Sequence, residues 1–251
     1  MSSTVLQFHE EVATRLRAIS DDAVAGRLDG AIDLVVRSVQ SGGVLQAFGT
    51  GHSQAFAMEI AGRAGGLIPT RAMALRDLVL FGTRDASVLA GATLERDAGV
   101  VDELFALAAL DPADVFLIAS NSGVNGSVVG VALRAKEEGH PVIAVTSLEH
   151  TKAVTPKHPS GRRLSEIADV VIDNRAPYGD TTIDLGQAVG VGAVSSMTAA
   201  YIAQLLTIGA AERIAATGAI PPVYISANIP GGDDHNHALE AHYGARIKRT
   251  G

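Results

Sequence analysis

The chain has 251 residues, a formal net charge of −7, and neither cysteine nor tryptophan. This composition excludes disulfides, thiolate catalysis and cysteine-based zinc sites, and the acidic balance argues against nucleic-acid binding. Hydrophobic residues make up 47% of the chain, which suits one large folded domain. Residues 1–20 lack the apolar core of a secretion signal, so we expect a cytoplasmic protein.

Short apolar runs alternate with helical patterns along the chain. Two helices are predicted before residue 43, because apolar residues recur there at helical spacing. Buried strands are predicted at residues 44–48, 67–73, 115–119, 141–146 and 169–173. Helices are predicted between them at residues 53–64, 94–109 and 127–138. This alternation predicts an α/β fold, a parallel sheet with helices on both faces.

An uncharged stretch at residues 185–211 follows the last strand and is long enough to cross a bilayer. It contains Gln187, Ser195 and Gln204 and has no flanking basic cluster, so we expect a buried helix and no membrane contact. A tail rich in proline and glycine closes the chain. The predicted organisation is one domain, with a helical extension at 1–43, an α/β core at 44–217 and a tail at 218–251.

Two strand-to-helix turns carry residues suited to binding an anion. The first runs from Gly49 to Ser53 and the second from Ser120 to Ser127. Both are expected beyond the carboxyl ends of parallel strands, where such sheets bind ligands. Glycine lets the backbone approach an anion, while helix N-termini and serine hydroxyls supply donors. The alternative is that both are ordinary turns with serine caps.

Nucleotide-binding motifs are missing from these turns. Gln54 stands where a dinucleotide fingerprint after Gly49 needs Gly or Ala, and the chain contains no Gly-Lys-Ser/Thr sequence. A nucleotide-binding doubly wound protein is therefore disfavoured.

The two loops, with Ser120-Asn121-Ser122-Gly123 between a buried strand and a helix, resemble the SIS (sugar isomerase) domain. The similarity extends over nearly the whole chain, and residues 226–236 resemble bacterial SIS proteins related to phosphoheptose isomerase. The resemblance implies a three-layer αβα sandwich with a flavodoxin-like five-stranded parallel sheet and two N-terminal helices. It also implies a homodimer or homotetramer in which one subunit completes its neighbour's site.

The same resemblance implies a small-molecule ligand, a sugar phosphate, held by the two loops. Asp180, in a turn after the last strand, is a further candidate for a sugar hydroxyl, or an ordinary turn residue. The predicted phosphate- and sugar-binding residues are Gly51, Ser53, Ser120, Asn121, Ser122, Gly123, Asn125, Ser127 and Asp180.

Aldose–ketose isomerisation needs a base beside the substrate and a group that stabilises the enediolate oxygen. The candidate catalytic residues are Glu59, His52 and His235. Phosphoheptose isomerases carry their glutamate ten residues after the loop serine, where this chain has Arg63. Glu59 either takes over that role or pairs with Arg63 at i+4.

His235 belongs to the polar cluster at residues 233–237. The cluster is a candidate for contact with sugar, and a divalent metal site or a solvated loop are the alternatives. The prediction includes no metal and no cofactor.

The predicted function is phosphosugar binding, with isomerisation of a hexose or heptose phosphate by acid–base proton transfer. A phosphosugar etherase or epimerase and a non-catalytic sensor are the alternatives. In regulators the SIS domain follows a DNA-binding helix-turn-helix, whereas residues 1–43 predict two long helices with an acidic balance. DNA regulation is therefore disfavoured.

Overall fold

The computed structural model describes residues 2–91 and 93–248, so the outermost residues of the predicted domain, 1 and 249–251, lie outside the described residues. The chain begins with the two predicted helices, α1 (Ser2–Val24) and α2 (Asp29–Gln40). On α2, Ile32 and Val35 are buried, and on α1 Ile19 is buried, whereas Val5 and Leu6 near the start of α1 are exposed. The packed core therefore includes α2 and the C-terminal part of α1.

The central sheet of the described structure has five parallel strands in the order β2-β1-β3-β4-β5. They are β1 (Leu45–Gly49), β2 (Thr70–Met73), β3 (Val115–Ala119), β4 (Val142–Thr146) and β5 (Val170–Asp173). Every residue of β1, β3 and β4 is buried, which explains why these strands are continuous apolar runs. This strand order is flavodoxin-like and confirms the predicted fold class.

Helices cover both faces of the sheet. On one face α1 and α2 pack with α3 (Gln54–Ile60) and α9 (Ser195–Ala216) around Leu117 and Ile143. The other face buries Phe116 and Ile118 beneath four helices. These are α4 (Asp77–Leu80), α5 (Thr93–Arg96), α6 (Val101–Ala106) and α7 (Gly126–Glu137). A short helix, α8 (Leu148–Ala153), follows β4 and completes the three-layer sandwich.

The prediction of a helix over residues 185–211 is wrong in its first part. Residues before α9 form an antiparallel hairpin of β6 (Thr181–Asp184) and β7 (Gly190–Ala193). Its turn needs positive φ at residues 186–188, a conformation that a helix excludes. α9 also continues past the uncharged stretch to Arg213, whose guanidinium pairs with Asp29 and Asp33 of α2. No helix within 2–91 and 93–248 is long and apolar enough to cross a membrane.

Two other predicted helices are shorter than expected. The helix predicted at 94–109 is divided, because the Asp97 carboxylate accepts a hydrogen bond from the Gly99 N–H at 2.7 Å and forms a turn. The helix predicted at 53–64 starts as a 3-10 turn at Gly51–Ser53 and ends at Ile60.

The tail packs against the amino-terminal edge of the sheet. Helix α10 (Gly232–Glu240) lies there, and Tyr224 and Ile247 cover Val44 and Ile68, which precede β1 and β2. The Arg246 guanidinium donates to the fully buried Asp114 carboxylate at 2.6 Å. The predicted ligand loops lie at the opposite edge of the sheet.

Candidate active site

The first ligand loop is a tight turn that requires glycine at two positions, Gly49 and Gly51. A Cβ on Gly49 would overlap the Ser53 carbonyl oxygen and lie 3.2 Å from that of Ala119. Gly51 has a φ of +55°, in the left-handed region. The loop therefore folds closely against the end of β3 and places His52 and Ser53 beside the second loop.

The second loop is fixed by the ends of β4 and β5. The Ser120 hydroxyl accepts a hydrogen bond from the Gly123 N–H at 3.1 Å. Asn121 accepts on its carbonyl oxygen from the Ser147 N–H at 3.2 Å. Its side-chain oxygen accepts from the Asn174 amide, also at 3.2 Å. The loop residues are thus held in place before any ligand arrives.

The two loops meet in a narrow cleft, here called the serine cleft. Its walls come from both loops and from the first turns of α3 and α9. The lining residues are His52, Ser53, Phe56, Ala119, Ser120, Asn121, Val145, Asn174, Ser195, Ser196 and Ala199. It holds only about 10 Å³, roughly the room of one water molecule. A ligand group would therefore sit at its mouth, with its oxygen atoms reaching inward.

The donors around the serine cleft suit an anion. Within the described part of the chain, the backbone N–H groups of Gly51, His52, Asn121 and Ser122 make no hydrogen bond. The N-terminus of the 22-residue helix α9 also borders the cleft at Ser195 and Ser196, although a carboxylate already caps it. The free N–H groups of the two loops attract negative charge without any Lys or Arg.

Asp180 caps α9. Its carboxylate accepts from the Ser195 N–H at 2.8 Å and from the Ser195 hydroxyl at 2.6 Å. It also accepts from the Val194 N–H at 3.2 Å, and its own φ is +69°. The residue predicted to contact sugar thus positions the helix whose Ser195 and Ser196 line the serine cleft.

Glu59 lies on α3, on the side that contacts α9. Its carboxylate forms the predicted ion pair with Arg63 and accepts from the Gln204 amide at 2.6 Å. Glu59 is six residues beyond Ser53, roughly 9 Å along a helix. It lines an open groove of about 440 Å³ next to Ala55. The ion pair and access to solvent are therefore both present.

His235 lies far from the serine cleft of its own chain. His235 lies on α10, at the amino-terminal edge of the sheet. Its Nε2–H donates to the Val223 carbonyl at 3.0 Å. Strands of this sheet, at roughly 3.3 Å per residue, separate that edge from the ligand loops. In the described parts of the chain, no three histidine or acidic side chains form a group that could hold a metal ion.

Ser127 and Asn125 contact a residue that sequence reasoning missed, Glu95 on α5. The buried Ser127 hydroxyl donates to the Glu95 carbonyl oxygen at 2.8 Å, and the Asn125 amide donates to the Glu95 carboxylate at 3.3 Å. Nothing local in the sequence marks Glu95, because its partners lie 30 and 32 residues away.

Other missed residues do carry a sequence signal. Asn174 directly follows β5, and Ser195 and Ser196 open the apolar helix α9. Polar residues at those positions are candidates by the same rule that identified the two loops.

An ion pair holds the chain just after Asn174. Arg175 has a φ of +61° and donates to the Asp22 carboxylate of α1 at 2.6 Å. Burial acts to raise the pKa of Asp22, but hydrogen bonds from Arg175 and Arg27 outweigh it and leave the pKa below its ordinary value. The N-terminal helix thus anchors a loop that lines the site.

Solved structures share this fold at low sequence identity. A phosphoheptose isomerase from Francisella tularensis superposes with a TM-score of 0.57 at 15% identity, over 84% of this chain and 98% of that one. A phosphoheptose isomerase from Neisseria gonorrhoeae gives a TM-score of 0.53 at 18% identity, over 83% and 97%. At these identities the likeness shows the fold.

Relatives at higher identity cover nearly the whole chain. A UPF0309 protein from Listeria monocytogenes is 38% identical over 218 residues, covering 86% of this chain and 88% of the relative. A UPF0309 protein from Geobacillus thermodenitrificans is 34% identical over 242 residues, covering 96% and 95%. The SIS domain model matches residues 7–147. The chain therefore belongs to the SIS domain family.

Proposed function

We propose that this SIS protein binds a sugar phosphate at the serine cleft and isomerises a hexose or heptose phosphate. The observation that carries the proposal is the set of free backbone N–H groups on the two loops. His52 and Asn121 line the cleft, and Gly51 and Ser122 are their neighbours in the chain. Backbone donors at helix N-termini are suited to a phosphate group. The same fold in two bacterial phosphoheptose isomerases supports the proposal.

The chemistry requires a proton to move between adjacent carbons of the sugar. In our proposal the phosphate binds at the serine cleft and the sugar extends along α3 toward the open groove at Ala55 and Glu59. The Glu59 carboxylate takes the proton from one carbon and returns it to the next, while Gln204 holds the carboxylate in place. His52, which lines the cleft, meets the charge that develops on the enediolate oxygen.

Thermal unfolding with a panel of sugar phosphates, each beside its unphosphorylated parent, tests the binding step. A ligand at about 100 times its Kd stabilises the protein by roughly 2.7 kcal/mol, which raises Tm by roughly 5–11 °C for a chain of this size. We expect this rise only with phosphorylated sugars. Ser122→Ala should reduce it strongly, whereas Ser3→Ala, on the exposed start of α1, should not. No rise with any sugar phosphate would overturn the proposal.

A turnover assay on the sugar phosphates that bind tests the catalytic step. Glu59→Gln keeps the size of the side chain and removes the base, so we expect isomerisation to stop while the Tm rise persists. The matched control is Glu137→Gln, on the exposed end of α7. Binding by the unaltered protein without any conversion would instead support a non-catalytic sensor.

A further inference from the structure

A second cavity adjoins the first ligand loop, on the side away from Glu59. We call it the α5 cavity, and its volume is about 360 Å³, within the range of small-molecule sites. Leu75, Val88 and Leu94 contribute apolar wall. Gln54, Arg76 and Glu95 supply the polar groups. Gly51 also lines the cavity, next in the chain to His52 of the serine cleft.

The structure fixes the position of Glu95 at this junction. A Cβ on Gly126 would overlap the Arg96 carbonyl oxygen, so the end of α5 sits directly on the start of α7. The fully buried Ser127 hydroxyl, bonded to the Glu95 carbonyl at 2.8 Å, locks this contact. Leu94 anchors the same turn in the core. The Glu95 backbone therefore cannot move far from the two ligand loops.

The Glu95 carboxylate lies between the two loops. One oxygen accepts from the Asn125 amide at 3.3 Å, and the other lies 3.4 Å from the place where a Cβ on Gly51 would be. Glu95 forms no ion pair with any described Lys or Arg. A carboxylate with one long hydrogen bond retains acceptor capacity for a ligand hydroxyl.

Asn125, the donor to Glu95, lines neither the α5 cavity nor the serine cleft. Its side-chain oxygen is buried, so within this junction it is Glu95 that faces the cavity. A sugar hydroxyl can donate to one acceptor while its own oxygen accepts from another group. Glu95, with Gln54 and Arg76 on the same cavity wall, is thus suited to a polyhydroxylated ligand.

We propose that Glu95 binds a hydroxyl of the sugar and that the α5 cavity receives the face of the sugar turned away from Glu59. This inference rests on the proposed function, because the phosphate must first bind at the serine cleft. The apolar wall then contacts the C–H face of the sugar, and Arg76, exposed at the cavity, reaches its outer hydroxyls. Glu95 is a specificity-determining residue, which selects among sugars that carry the same phosphate.

Isothermal titration calorimetry with two probes separates this inference from the proposed function. The probes are inorganic phosphate and a hexose phosphate that raises Tm in the panel. Glu95→Gln should weaken the hexose phosphate roughly 10- to 100-fold, the loss expected for a hydrogen bond to a charged group. It should leave inorganic phosphate within about twofold, since Glu95 does not line the serine cleft.

A second variant and a control distinguish a specific loss of binding from misfolding of the Glu95→Gln protein. Leu89→Trp, on the cavity wall, should fill the α5 cavity and weaken the hexose phosphate but not inorganic phosphate. Glu137→Gln should change neither affinity. Unchanged hexose phosphate affinity in both Glu95→Gln and Leu89→Trp would overturn the inference and leave the proposed function intact. Failure of the unaltered protein to bind any sugar phosphate would overturn both.

Discussion

Gly49 shows how strongly the ligand loops depend on single residues. Replacing it with alanine would push a methyl group into the Ser53 carbonyl oxygen, so the first loop must move. We expect Gly49→Ala to lower the free energy of unfolding by roughly 1–3 kcal/mol, as overpacking does, and to abolish the Tm rise with sugar phosphates. Urea unfolding and thermal unfolding measure the two effects.

Gly30→Ala is the matched control for that substitution. Gly30 lies in α2 with an ordinary φ, and a Cβ there would only touch Val170 at 3.5 Å. Alanine is a better helix former than glycine, so this variant should be as stable as the unaltered protein or up to about 1 kcal/mol more stable. A Gly49→Ala protein that matched Gly30→Ala in stability and binding would contradict the close approach described here.

The sequence predicts the residues of the serine cleft better than those around it. Ser120, Asn121 and His52 directly follow buried strands, so their place at the ligand edge could be inferred from chain order. Glu95 could not be inferred, because α5 reaches the ligand loops only by docking on α7. The position of His235 could not be inferred either, because only the packing of the tail decides which edge of the sheet this residue reaches.

At the scale of elements, the cap on α9 links the hairpin to the site. We expect Asp180→Ala to cost roughly 1–2 kcal/mol of unfolding free energy, the usual cost of losing an N-cap. It should also weaken sugar phosphates, because Ser195 and Ser196 would lose their fixed position. Urea unfolding and calorimetry test both expectations. Asp21→Ala, exposed on α1, should change neither, and an equal effect of the two variants would contradict the capping role.

Buried strands were predicted well because a short apolar run flanked by turn residues is typical of a strand in a parallel sheet. The hairpin before α9 was not predicted, because the absence of charge at 185–194 says nothing about backbone conformation. Glycine at 186, 190 and 192 was the signal for a hairpin, and positive φ at two of these positions explains why. The absence of charge does not indicate burial here either, because residues 185–191 are exposed, while glycine spacing indicates where a helix can begin.

At the scale of the whole molecule, Asp22 joins the N-terminal helix to the ligand edge, and its titration should make stability depend on pH. Its folded pKa is below the ordinary value of 3.8, because hydrogen bonds from Arg175 and Arg27 outweigh the effect of burial, which acts first to raise it. The stabilisation that the ionised Asp22 carboxylate provides is therefore fully present at pH values above 3.8. It is lost as the pH falls below that value and through the folded pKa.

Urea unfolding of the unaltered protein and of Asp22→Asn between pH 7 and pH 3 measures this contribution. We expect the variant to be less stable by roughly 1.5–3 kcal/mol near neutral pH, the range for hydrogen bonds to a charged group. The difference should shrink as pH falls below 3.8. Asp21→Asn, exposed on the same helix, should follow the unaltered protein throughout. A difference that stayed constant with pH would contradict the assigned role of Asp22.

The contact between Asp114 and Arg246 has a consequence for the order of events during synthesis. Asp114 emerges from the ribosome 132 residues before its arginine partner. In the interval its carboxylate has the Val44 and Gln46 amides and the charge of Arg71, which acts on it without forming an ion pair. The close ion pair with Arg246 is therefore the last of these contacts to form. The edge opposite the ligand loops is the last to close.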